Sequence, residues 1–282
     1  MSEAVDPALV VARFFAFGLA MLVFGRASFA LYAPAPGPRP TLRIATSGLL
    51  ALGAIAYAVL LAREAVDAPG WPGARAVAMI WRDTGFGRAL AVTTLAALAL
   101  TAVAASERRL PWPSAALAAI ALAALAFVGH GADDTGARGA VRLTVLALHL
   151  LAVASWLGAL PTLWLALRDG DQPLRLLQRF GLVGGISLAT VLVTGSATLV
   201  FVALDAPRGL GRSYLGTLAI KLAFVFALFC VAAVNRFRLT PLMAREPDRA
   251  RRLLRRTIIA EQLLGLGALA SVAVLGQLDP TM

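Results

Sequence analysis

Residues 143–167 read LTVLALHLLAVASWLGALPTLWLAL, twenty-five residues without a formal charge set between Arg142 and Arg168. As an α-helix rising 1.5 Å per residue, such a run is long enough to cross the ~30 Å hydrocarbon core of a bilayer. It does not alternate in polarity, so a barrel strand does not fit it. Outward from this stretch the same pattern recurs, and the predicted spans are 8–31, 44–62, 89–105, 114–130, 142–167, 181–204, 215–235 and 257–277. The 282 residues are 60% hydrophobic and 15% charged, against roughly 25% charged in an average soluble domain. A water-soluble fold is thereby excluded. The expected architecture is all-α, a polytopic membrane protein built as a bundle of eight transmembrane helices forming one membrane domain over 1–282. The run that begins near Ala8 follows an acidic leader and is too long for a cleaved signal peptide, so it is taken as the first span.

Arginine sets the orientation, because cytoplasmic loops carry the excess of Lys and Arg. The connections after spans 1, 3, 5 and 7 hold fifteen arginines, eight of them between Arg236 and Arg256, whereas the opposite side holds eight. Acids run the other way, five against nine. Both termini are therefore expected to face the periplasm or cell exterior. The net charge of +11 has no basic domain to gather it, so nucleic acid is not an expected partner; the Arg236–Arg256 segment reads as an anchor against anionic lipid. Between spans 2 and 3, Ala74–Arg82 is apolar between its two arginines and is expected to lie along the interface with Trp81 as an anchor.

Against this apolar background the polar groups stand out. Both histidines of the chain fall toward the outer side: His130 at the exit of span 4, and His149 two turns into span 5, about 10 Å below Arg142 by the helical rise. The short turn between those spans adds Asp133 and Asp134. Imidazole suits copper, zinc, iron and nickel, and sulfur would narrow the choice to Cu(I). Met79 is the one sulfur at matching depth; Met21 and Cys230 lie deeper. The plain alternatives are an interfacial imidazole in water for His130, and for His149 a buried ring bonded to a neighbouring carbonyl or hydroxyl. Ionisable groups inside a membrane usually mark function, which favours His149. Trp156 follows His149 by two turns on the same face, as a pathway residue or a packed indole. Lys221, the sole lysine, is expected to face the bundle interior and a carboxylate, with Asp133, Asp134, Asp205 and Asp279 as candidates. Glu261 matches Arg26, Asn235 and Arg236 in depth, which suggests a structural ion pair or, more sharply, proton coupling. One cysteine builds no disulfide or multi-thiolate site. No G-x-x-x-x-G-K-[ST], H-E-x-x-H or G-x-S-x-G occurs, so nucleotide hydrolysis and the common intramembrane hydrolases are unsupported, and no enzyme is expected.

Several fragments together resemble the copper resistance protein D family of bacterial inner-membrane proteins. They are Gly129-His130-Gly131 with the acidic turn, Leu148-His149-Leu150-Leu151 through Trp156-Leu157-Gly158, Tyr214 with Lys221, Asn235-Arg236 with Pro241, Arg256 with Glu261, and Leu275-Gly276 with Pro280. Thr84-Gly85-Phe86-Gly87-Arg88 adds an earlier match, though the resemblance is strongest over 129–282. The sequence departs from the family pattern in having Leu215 directly after the tyrosine, with Gly216 one later, and it has no methionine- or histidine-rich tail. The resemblance implies eight spans, copper as the ion handled, His130 and His149 as the family's histidines, and a periplasmic copper-binding partner of the CopC type. The expected function is passage of copper from periplasm to cytoplasm, with a b-type cytochrome using both histidines as haem ligands, or a non-transporting copper chaperone or sensor, as rivals.

Overall fold

A computed structural model describes residues 5–33, 40–66, 73–106, 110–128, 136–169, 173–207 and 209–281. The described residues form helices and no strand: α1 Pro7–Tyr32, α2 Pro40–Val66, α3 Ala74–Asp83, α4 Gly85–Ala105, α5 Pro111–Ala124, α6 Gly136–Trp156, α7 Leu160–Asp169, α8 Pro173–Asp205, α9 Arg212–Val234, α10 Thr240–Leu242 and α11 Pro247–Leu275. Seven helical stretches are long and apolar enough to cross a membrane, with α6 and α7 counted as one stretch and α9 continuing through Leu242. The predicted fourth span is shorter, Pro111–Phe127, its last turn tightening to 3-10 geometry at Leu125–Phe127. Proline starts α1, α5 and α11 at the first turn, where its missing N–H costs nothing.

The first helix is the axis of the molecule. It packs against α2, α5, α6, α7 and α11. Small residues allow this: Ala16, Ala20 and Ala27 of α1 are buried, together with Ala51, Ala54 and Ala58 of α2. With lipid as solvent, close van der Waals packing rather than expulsion of water holds such helices together. The closest approach is at Gly25, where a Cβ would collide with the backbone of Gly158; conversely, a Cβ on Gly158 would strike the Met21 carbonyl.

That contact lies where the fifth predicted span departs from a single helix. Leu157–Ala159 is a 3-10 turn between α6 and α7. Pro161 has no N–H to return to the Leu157 carbonyl, as an α-helix requires. Instead that carbonyl accepts from the Leu160 N–H and from Gln262 Nε2 on α11 at 2.8 Å. A second irregularity, the π-helical turn Asn235–Leu239, precedes Pro241 for the same reason: a residue that cannot donate forces the ladder to change register. The Arg236–Arg256 segment, expected as a connecting loop, is largely helical, since α11 already begins at Pro247. Ala74–Asp83, where the sequence led us to expect an interfacial segment, is a helix that packs on α2 and α4 with the Trp81 indole N–H buried and unpartnered.

Candidate functional site

Two helices running in the same direction carry matched ladders of side chains. On α6, Arg142, His149 and Trp156 recur at seven-residue intervals, which places them on one face two turns apart. On α9, Tyr214, Lys221 and Phe229 repeat nearly the same spacing. The structure sets them level with one another. The Trp156 and Phe229 rings stack with centroids 6.0 Å apart, and from that shared level the near-equal spacing carries Lys221 to about the depth of His149 and Tyr214 to about that of Arg142.

The third wall is α8, which packs along α6. His149 Nδ1 lies 2.9 Å from Thr194 Oγ1, and Gly195 brings the α8 backbone under the ring, since a Cβ there would lie 3.5 Å from His149 Cε1. Thr194 is buried and His149 half-buried. Nearer the start of α6, Asp205 at the end of α8 accepts from Arg142 at 2.6 Å and also from Arg138. The Arg142 guanidinium also sits 5.9 Å from the centroid of the Phe201 ring. His149 is therefore enclosed between an ionic clamp two turns toward the start of α6 and an aromatic stack two turns beyond.

The other expected site residues are placed as follows. His130, Asp133 and Asp134 lie outside the described residues. Met79 is 59% exposed on α3, which packs on α2 and α4, whereas His149 sits against α8. Trp156 is buried and is the last residue of α6 before the 3-10 turn. Lys221 forms no ion pair with a carboxylate among the described residues, which leave out its candidate partners Asp133 and Asp134; Asp205, another candidate, is engaged by Arg138 and Arg142. Glu261 does not pair with an arginine either. Only 2% exposed, it accepts from Asn235 Nδ2 at 3.0 Å, and Asn235 Oδ1 accepts from Thr257 at 2.5 Å. The depth argument put Asn235 and Glu261 at one level correctly, but an amide, not a cation, holds the carboxyl.

Thr194 and Gln262 escaped the sequence reading, although both left a trace. Thr190, Thr194 and Thr198 form an i, i+4 stripe in the largely apolar middle of α8, and Pro161 announces a carbonyl in need of a donor. Arg13 was missed too: its guanidinium reaches the Gly276 carbonyl at the end of α11 and packs 5.3 Å from the Phe17 ring centroid. A cation at a helix C-terminus meets the negative end of the helix dipole.

Among the described residues no three His, Cys, Asp or Glu side chains gather in a metal-sized group. What this level of the bundle offers a metal ion is one imidazole with Nε2 still unengaged. A neutral imidazole is a good ligand for a late transition metal.

Residues 1–140 match the family described as copper resistance protein D-like, N-terminal domain, and residues 174–275 match copper resistance protein D. The chain is 30% identical over 304 aligned residues to Copper resistance protein D of Pseudomonas syringae pv. tomato, covering 98% of each chain. It is 28% identical to Inner membrane protein YebZ of Escherichia coli (strain K12), covering 96% of this chain and 98% of that one. No solved structure matches it. With its apolar helices and relatives matched nearly end to end, the chain is a multi-pass inner-membrane protein and belongs to the copper resistance protein D family.

Proposed function

We propose that this protein carries copper ions from the periplasm to the cytoplasm and contributes to copper homeostasis or resistance, without catalysing a covalent reaction. Eight spans with both termini outside would put the start of α6 at the periplasmic face. Asp133 and Asp134 then attract the cation to the mouth, where clustered charge raises local ion concentration. His130 and His149 exchange hydration for imidazole, and Trp156, Asn235 and Glu261 mark the route inward. A periplasmic copper-binding protein of the CopC type is the proposed donor, and Met79 a sulfur on the outer side. The observation that carries the reading is His149 itself: an imidazole inside a membrane helix, fixed on one side by Thr194 and walled by three helices, in a chain whose relative is named for copper resistance.

Lys221 shapes the energetics. Two turns above Phe229 on α9, it stands at about the depth of His149, and its ammonium form there would weaken the hold on a bound cation by like charge. Passage needs that, because an ion bound too well does not leave.

Reconstitution of the purified chain into liposomes tests this directly. Copper entry above that of empty vesicles is expected for the wild type, with a drop of about tenfold or more in His149→Ala, the loss of one ligand from a site with few. Copper bound but not moved would favour a holder or sensor. A Soret band in the pure protein would favour haem.

A further inference from the structure

The hydroxyl of Thr194 has a single proton, and the structure shows where it goes. Thr194 Oγ1 lies 2.6 Å from the Thr190 carbonyl oxygen and 3.5 Å from that of Val191. A carbonyl can only accept, so a contact as short as that to Thr190 requires the hydroxyl proton to point at it. The same oxygen is 2.9 Å from His149 Nδ1. With its proton engaged by Thr190, Oγ1 can meet Nδ1 only as an acceptor, and Nδ1 must carry the hydrogen.

We propose that Thr194 is a positioning residue that holds His149 as the Nδ1–H tautomer, leaving the Nε2 lone pair as the atom presented to a soft metal cation. This rests on the copper reading of the site and adds the donor atom and the group that selects it. The hydrogen bond from the far ring nitrogen sets which nitrogen is bare and how the ring is turned. The surroundings make the selection firm. Thr194 is 5% exposed, so water does not compete, and the α8 backbone at Gly195 supports the ring edge. The neighbouring threonines keep the pattern regular, Thr190 donating to Ile186 and Thr198 to the Thr194 carbonyl. Each hydroxyl on this stripe is thus turned along its own helix, and only Thr194 has an imidazole in front of it.

The test uses the full chain in lipid, labelled with 15N at its two histidines and free of metal, with the His149 signals identified by their loss in His149→Gln. Couplings from the ring carbon-bound protons distinguish a protonated Nδ1 from a protonated Nε2. Wild type and Thr194→Ser are expected to show Nδ1–H, and Thr194→Val a shift toward Nε2–H. Titration of the same samples with Cu(I) against a competing chelator is expected to show Thr194→Val weakened at least tenfold and Thr194→Ser within about threefold of wild type, the range seen when a ligand's supporting hydrogen bond is lost. Nε2–H in the wild type, or a tautomer unchanged in Thr194→Val, overturns the assignment. An Nδ1–H signal in a wild-type chain that binds no Cu(I) overturns instead the copper reading on which the donor role depends.

Discussion

Asn235 and Glu261 show how a single polar pair is maintained in this bundle. The carboxyl is almost without solvent, and its one hydrogen-bond donor is the Asn235 amide, itself oriented by Thr257. Replacing Asn235 by Ala leaves a buried acceptor without a donor, which costs the desolvation that the bond had offset. A loss of about 2 kcal/mol is expected for Asn235→Ala in reversible denaturation in detergent. The double replacement Asn235→Leu with Glu261→Leu should recover most of it, because removing both polar groups leaves nothing unpaired. If the double variant is the less stable of the two, the pair is not held by this local bond. At this scale the sequence was legible in depth but not in partners. Counting residues from the membrane surface put Asn235 and Glu261 together. It could not show that Asp205 is engaged by Arg138 and Arg142 rather than Lys221, since that depends on how α8 is rotated against α6.

Among elements, the contact of α1 with the 3-10 turn Leu157–Ala159 is the tightest joint. Gly25 and Gly158 allow two backbones to meet where no side chain fits. Gly25→Ala is therefore expected to destabilise by about 1–3 kcal/mol, the usual cost of overpacking a closed interface. Gly48→Ala on α2, where a Cβ meets nothing within 4 Å, should be neutral or stabilising by up to about 1 kcal/mol, since alanine favours the helix. Equal effects at the two glycines would show that helix propensity, not the joint, decides. The break itself was written in the sequence at Pro161, inside an apolar run whose uniform hydrophobicity announced one continuous span. Hydrophobicity locates a crossing, whereas the missing N–H determines its shape. The matched seven-residue ladders of α6 and α9 were likewise visible as spacing, yet only the packing of both against their neighbours sets Arg142, His149 and Trp156 opposite Tyr214, Lys221 and Phe229.

On the scale of the whole molecule, arginine asymmetry gives the bundle a direction that packing alone does not. Fifteen arginines flank the spans on one side and eight on the other, and the densest group lies around the π-helical turn and the first turns of α11. Translocating that segment would drag at least eight cations across the bilayer, so it is expected to stay in the cytoplasm while the end of α11 crosses outward. An alkaline phosphatase reporter, active only in the periplasm, joined after residue 281 is expected to be active, and a fluorescent protein joined there dark; joined after residue 245 the two should exchange. The same result must appear at the other inner connections, 107–109 and 170–172, if Pro111–Phe127 crosses the membrane despite being the shortest apolar helix. At 1.5 Å per residue its 17 residues reach about 25 Å, so it crosses only if it stands nearly upright or the bilayer thins around it. A phosphatase signal after residue 109 that equals the one after residue 281 is incompatible with the eight-span order, in which five crossings separate the two positions. That outcome would reduce Pro111–Phe127 to a segment that does not cross and would move residue 7 to the cytoplasmic side, while the four crossings from α6 to α11 would still hold the start of α6, and His149 with it, at the periplasmic face.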